Sequence, residues 1–170
     1  MGGGARPTAA GRMITGRTTV RIRRAAPDDV PFVVAIERAA FSDPWSAQSF
    51  EEALDHPAIF FACASSGAGD VLGYVVAWFV ADQGEIANLA VTPSGWGAGI
   101  GRALLKHALD EGERRGAEAV FLEVRNSNER ARRLYESSGF EEIGRRRRYY
   151  KKPVEDAIVL RRTLKELKES

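Results

Sequence analysis

The sequence predicts a mixed α/β sandwich whose sheet is antiparallel in its first half and closed by a strand–helix–strand crossover in its second. Three observations lead there. Three apolar runs, 59–64, 71–79 and 85–91, follow one another with only turn-length segments between them, as in an antiparallel meander. An amphipathic stretch, 101–115, then separates the third run from a fourth at 119–124, the spacing of a βαβ unit. The resulting order, βααβββαβαββ, fits within 170 residues, the size of one ordinary domain.

The elements follow in order. Residues 19–23 alternate Val20 and Ile22 with polar neighbours, as a strand does. Over 28–41, Val30, Val33, Val34, Ile36, Ala40 and Phe41 recur at mostly helical spacing. Pro44 interrupts, and 46–54 predicts a short helix with Ser46 as its N-cap and Ser49 as its partner. The segments 65–70 (SSGAGD) and 81–84 are the turns of the meander. In 101–115, Leu104, Leu105, Ala108 and Leu109 share one helical face, and Gly116 ends it. A strand at 119–124 and a helix at 126–138, stopped by Gly139, come next; 141–151 and 157–162 close the sheet. No internal repeat is present. Residues 1–17, rich in glycine and small side chains, read as a disordered leader in which Met13 is a second candidate start; 18–165 read as the single domain and 166–170 as a tail.

Composition narrows the class. Hydrophobic residues make up 44% and charged residues 28%, enough apolar content for a packed core. A single cysteine, Cys63, excludes an internal disulfide framework and a cysteine-cluster metal site, and no metal is expected. The longest apolar runs fall far short of the roughly 18 residues that span a bilayer. The arginine-bearing start lacks the apolar stretch of a signal peptide. The expectation is a soluble, cytoplasmic protein with no membrane partner.

The net charge of +2 conceals an asymmetry. Residues 1–24 hold six basic and no acidic side chains, and 144–152 (GRRRRYYKK) hold six more. Between them, 25–143 carry a net charge of −10, and no Lys or Arg occurs from Ala39 to Gly101, where Asp43 and Glu85 both fall. If two ligands bind, the first half favours a cation and the second an anion; singly, such charges are usually solvated surface.

Four glycines, 95, 97, 99 and 101, lie between a strand and an amphipathic helix. Glycine frees the backbone there and lets a ligand come close, and the helix start offers unpaired N–H groups; a phosphate is the natural occupant. A dinucleotide fingerprint fits no frame, since it demands glycine at Ile100, Arg102 or Leu104, and a Walker loop lacks its Lys-Ser/Thr. Further on, Glu123 shares a strand face with Phe121, opposite Val120, Leu122 and Val124; it is an exposed strand end or a carboxylate that is used. Tyr135 shares a helix face with Ala131 and Leu134 and points toward the sheet, as a core tyrosine or as a hydroxyl with a task. Asn128 suits an N-cap. Alternate arginines of 145–148 would face opposite sides of a hairpin.

The run Leu89-Ala-Val-Thr-Pro-x5-Gly99-Ile-Gly-Arg-Ala-Leu-Leu resembles the acetyl-coenzyme A pyrophosphate loop of GNAT acyltransferases. Downstream, Leu122-Glu-Val-Arg-Asn-Ser-Asn, Leu134-Tyr-Glu-Ser-Ser-Gly-Phe140, Arg148-Tyr-Tyr and Glu155-Asp-Ala-Ile-Val-Leu160 together are similar to the RimI branch, which acetylates the N-terminal alanine of a small-subunit ribosomal protein. The resemblance covers about Val20 to Leu164. It implies the GNAT fold: a mixed, mostly antiparallel twisted sheet with a central splay, flanked by about four helices.

It also implies roles. Acetyl-CoA would be the donor, its diphosphate held by Gly97, Ala98, Gly99, Ile100, Gly101 and Arg102, its pantetheine arm along Leu89, Ala90 and Val91, with Asn128 in contact. Glu123 would be the base and Tyr135 the acid. Phe41, Asp43, Trp45, Glu85 and Tyr149 would flank the peptide, a basic ribosomal N-terminus; direct nucleic-acid binding is not expected. Where the family usually has Gln or Arg three residues before Gly99, and often Arg beside it, this chain has Trp96 and Gly97. That leaves Arg102 and Arg133 as nearby positive charges. Two other functions stand beside this one: a lysine or small-molecule amine acetyltransferase of the same fold, and a non-catalytic ribosome- or RNA-binding module using 1–24 and 144–152.

Overall fold

The computed structural model of the chain describes residues 11–15 and 18–165. Among them lie β1 (Gly11–Thr15), β2 (Thr18–Arg24), α1 (Val30–Ala40), α2 (Ala47–Leu54), β3 (Ile59–Ser66), β4 (Val71–Val80), β5 (Gln83–Val91), α3 (Ile100–Arg114), β6 (Ala119–Arg125), α4 (Glu129–Ser137), β7 (Glu141–Lys151) and β8 (Val154–Thr163). One sheet runs β1-β2-β3-β4-β5-β6-β8-β7. Every neighbouring pair is antiparallel except β5 and β6, which α3 connects as a parallel crossover. The mixed, mostly antiparallel sheet flanked by four helices is the architecture that the resemblance implied.

The reading of 1–17 as a leader is corrected over Gly11–Thr15. That segment pairs with β2 from Gly11–Ile22 to Thr15–Thr18. Met-Ile-Thr is a strand-forming run that the surrounding glycines obscured. Residues 1–10, 16–17 and the tail 166–170 lie outside the described residues. Helix α4 starts three residues later than its periodicity suggests. The Asn126 and Ser127 amides are drawn instead to β8, where they donate to the Asp156 carbonyl and the Glu155 carboxylate.

Both faces of the sheet are covered, which is why β3 and β4 read as continuous apolar runs. On one face α3 and α4 pack Leu104, Leu105, Ala108 and Tyr135 over Phe60, Ala62, Val75 and Val120. On the other, α1 and α2 pack Val33 and Phe50 over Phe61, Cys63, Tyr74 and Val76. Phe50 is fully buried, edge-on to Tyr74 at 5.6 Å between ring centroids. Each such large side chain stabilises the fold by about 1.5–3 kcal/mol.

An ion pair fixes where α1 leaves the sheet. Arg23 on β2 grips Asp29 through both guanidinium nitrogens, at 2.7 and 2.8 Å, and Asp29 also accepts from the Ala26 amide at 2.7 Å. Asp29 is only 6% exposed. The hydrogen bond from Arg23, more than any other cause, holds its carboxyl below the usual carboxylate range, against the opposing effect of burial. A carboxyl depressed in the folded state stabilises above its unfolded value, about 4, and that stabilisation is lost as pH falls through the folded value. Asp29→Asn is therefore expected to cost about 2 kcal/mol at pH 7. Urea unfolding at pH 7 and pH 3 checks this: the gap between wild type and variant should shrink at the lower pH.

Candidate active site

The site begins where two strands part. β5 and β6 share only three register pairs, Gln83–Ala119, Gly84–Val120 and Glu85–Phe121. Beyond them β6 stays paired with β8 along its whole length, and β5 stays paired with β4. The edge of β5 from Ile86 to Val91 is thereby left open toward β6. Ala87 has no register partner on β4, a bulge that bends β5 at the fork.

A cavity of about 760 Å³ occupies the opening. Phe41, Asp43, Trp45, Glu85, Leu89, Glu123, Asn128, Tyr135 and Tyr149 line it, so most of the sequence-predicted site residues meet at one place. Glu123 enters from β6 on the face away from Leu122 and Val124, as its alternation requires. Tyr135 enters from the other side, through the gap, because α4 packs on the opposite face. Phenol and carboxylate thus approach one space from the two sides of the sheet.

The electrostatics are local and readable. Arg146 Nε lies 2.7 Å from Glu123 Oε1. The Tyr149 phenol is raised above its ordinary value chiefly by its hydrogen bond to Glu123, then by burial. Burial, then the Glu123 charge, raises Glu85 above the usual carboxylate range. Tyr150 is pushed up to about 12, by burial first and the Glu123 charge second. Tyr135 is buried, and desolvation raises it well above an ordinary phenol, so it holds its proton at any physiological pH.

Other expected residues lie outside the cavity. Ala90 is buried against the α1/α2 side, and the turn before α3 contributes no residue to the cavity lining. There Gly97 and Gly99 take φ of +78° and +79°, a left-handed backbone that glycine adopts without strain. The first bond back into α3 runs from the Ala103 amide to the Gly99 carbonyl at 3.0 Å. The amides of 97–102 precede it and find no acceptor among the described residues. Unpaired amides at a helix start are of the kind that can donate to an anion. Trp96 ties this turn to the strand by donating from Nε1 to the Val91 carbonyl at 2.9 Å, and the Arg130 guanidinium stacks on its ring at 4.0 Å. Arg130 is thus a further cation beside the turn; Arg133 pairs with Glu129, and Arg102 reaches Ser137. Asn128 is an N-cap: its Oδ1 accepts from the Ala131 amide at 3.2 Å, and its Nδ2 remains available to the cavity.

Sequence reasoning missed a buried carboxylate. Glu37 of α1 is 1% exposed and accepts from Tyr74 Oη at 2.6 Å, from Asn88 Nδ2 at 2.9 and 2.8 Å, and from the Trp45 amide at 3.3 Å. It fastens the loop after α1 and the β5 bulge to one anchor. Its signal was an acidic residue on the stripe Val30–Val33–Glu37–Phe41. Tyr150, expected beside Tyr149 from the resemblance, lines the same cavity; unforeseen, Arg125, Lys151 and Lys152 line it too, so cations join Asp43 and Glu85 there. Among the described residues no group of three or more His, Cys, Asp or Glu side chains could hold a metal ion. No helix among them is long and apolar enough to cross a membrane.

The class that this fold and cavity define is an acyltransferase. The model of the acetyltransferase (GNAT) family matches residues 30–140, and the chain belongs to that family. It is 38% identical over 134 residues to the "[Ribosomal protein bS18]-alanine N-acetyltransferase" of Escherichia coli, covering 78% of this chain and 89% of that protein. The crystal structure of the ribosomal-protein-S18-alanine N-acetyltransferase from Escherichia coli superposes with a TM-score of 0.79 at 34% identity, covering 89% of this chain and 97% of that one. The NatC complex bound to Gag peptide and CoA gives a TM-score of 0.76 at 25% identity, covering 86% and 99%.

Removing the buried anchor tests its weight. Glu37→Ala leaves the Tyr74 hydroxyl and the Asn88 amide without their acceptor and is expected to cost about 3 kcal/mol, read from urea unfolding.

Proposed function

We propose that this chain moves an acetyl group from acetyl-CoA to the α-amine of a protein's N-terminal residue, the alanine of a small-subunit ribosomal protein, by direct transfer. It would act in the cytoplasm. The observation that carries the reading is the opening between β5 and β6, where Glu123 and Tyr135 line one cavity from opposite sides of the sheet. The similarity to enzymes named for alanine N-acetylation supports the choice of substrate.

The donor fits the residues present. Six amides at 97–102 suit a diphosphate, and the open edge of β5 at Leu89, Ala90 and Val91 suits the amides of a pantetheine arm, which can pair like an added strand. When bound, the thioester supplies the activated acetyl group. The chain's own residues do the rest. A terminal amine has a pKa near 8, so a carboxylate acting directly or through one water suffices as base. Glu123 takes the amine's proton as the new C–N bond forms and the C–S bond breaks. Tyr135, kept protonated by burial, donates to the departing sulfur, whose proton affinity the same desolvation raises. Phe41, Trp45 and Tyr149 flank the peptide, and Asp43 and Glu85 favour basic residues after the alanine.

Incubation with acetyl-CoA and peptides differing only in a free or blocked N-terminus tests the α-amine assignment. Acetylation of the free peptide alone is expected; acetylation of a blocked, lysine-containing peptide would contradict it. Glu123→Gln should lower kcat by about 10²–10⁴, and Tyr135→Phe by about tenfold, the loss of one hydrogen bond to the leaving sulfur. Both variants should retain coenzyme A binding by calorimetry.

A further inference from the structure

We propose that Arg125 is a positioning residue that clasps the two walls of the peptide mouth together and so sets the affinity for the acceptor peptide. The inference rests on the transferase reading above and concerns the acceptor side alone. Arg125 is the last residue of β6, two positions beyond Glu123. Its Nη2 reaches Ser42 Oγ at 2.8 Å and the Lys152 carbonyl at 3.4 Å. Its Nη1 reaches the Pro153 carbonyl at 3.1 Å and Glu155 Oε2 at 3.3 Å. Its guanidinium also stacks on the Tyr150 ring at 4.2 Å.

These contacts join segments remote in sequence. Ser42 belongs to the loop between α1 and α2 that carries Phe41, Asp43 and Trp45. Tyr150, Lys152, Pro153 and Glu155 belong to the β7–β8 hairpin that carries Tyr149. Among the described residues, no hydrogen bond or ion pair links the 41–46 loop to that hairpin except through Arg125. The guanidinium is suited to this because its planar fork presents several donors at fixed angles, which an ammonium does not. The site residues on the two walls are thereby held at one spacing before a peptide arrives, and binding need not order them. The other end of the cavity, where the coenzyme is expected, receives nothing from Arg125.

Arg125→Lys keeps the charge and loses the fork; Ser42→Ala removes the loop side of the clasp alone. Acetyl transfer to a free-N-terminus peptide is measured for wild type and both variants, with coenzyme A affinity read by calorimetry and the two walls read by amide exchange. KM for the peptide should rise about tenfold in Arg125→Lys and about threefold in Ser42→Ala, as losses of one charged and one neutral hydrogen bond predict. kcat should change by less than the KM in each, coenzyme A affinity should hold, and exchange should quicken in both 41–46 and 148–156. An unchanged peptide KM, a parallel loss of coenzyme A affinity, or quickened exchange in one wall only would overturn the clasp. If wild type acetylates no free N-terminus, the transferase reading fails instead, and the exchange measurement still decides whether the two walls are coupled.

Discussion

Everything at the site depends on two parallel strands that stop pairing after three residues. Had β5 and β6 stayed in register, their amides and carbonyls would satisfy one another, Glu123 would lie on a closed sheet, and Tyr135 would be an ordinary core residue beneath it. The parting is tolerable because each strand is bonded on its other side, β5 to β4 except at the Ala87 bulge and β6 to β8 throughout. The sheet is in effect two antiparallel halves hinged at Gln83–Glu85. What the opening leaves unsatisfied is backbone polarity along one edge, a deficit that a ligand carrying amides can fill.

The groups around the opening are held by polar contacts of unusual depth. Glu37 is almost wholly buried, yet three kinds of donor converge on it, from β4, β5 and the loop after α1. Leaving such a carboxylate unpaired would cost far more than any one of these bonds contributes, so the network holds its members together as a set. It lies under the 41–45 side of the cavity, as the Arg23–Asp29 pair lies beneath the start of the same helix. That side is thus anchored by buried charge, and the turn before α3 is shaped by left-handed backbone at Gly97 and Gly99.

The sequence was informative wherever a local pattern decides the outcome. Apolar runs, helix stops at Gly116 and Gly139, the Ser46 cap and the glycine-rich turn all act within a few residues, and each element they predict is found within a few positions. The alternation around Glu123 also fixed its face. What escaped was decided by distant partners. The parting of β5 from β6, given only by the resemblance and by no local pattern, depends on competition with β4 and β8, which no window of residues contains. Glu37 drew no reading because Tyr74 and Asn88, its partners, lie far along the chain. The stretch without Lys or Arg from 39 to 101 suggested an acidic groove, but Lys151 and Lys152 of the β7–β8 hairpin line the same cavity. Composition misled at Gly11–Thr15, where glycines on either side concealed a strand-forming triplet.

Amide hydrogen exchange over the whole chain, with and without coenzyme A, tests the central claim most directly. If the open edge of β5 and the turn before α3 receive the donor, exchange slows in residues 86–91 and 97–102 together, while the arginine run at 145–148 is little changed. Slowing confined to 144–152, or none at either segment with coenzyme A in large excess, would contradict the account.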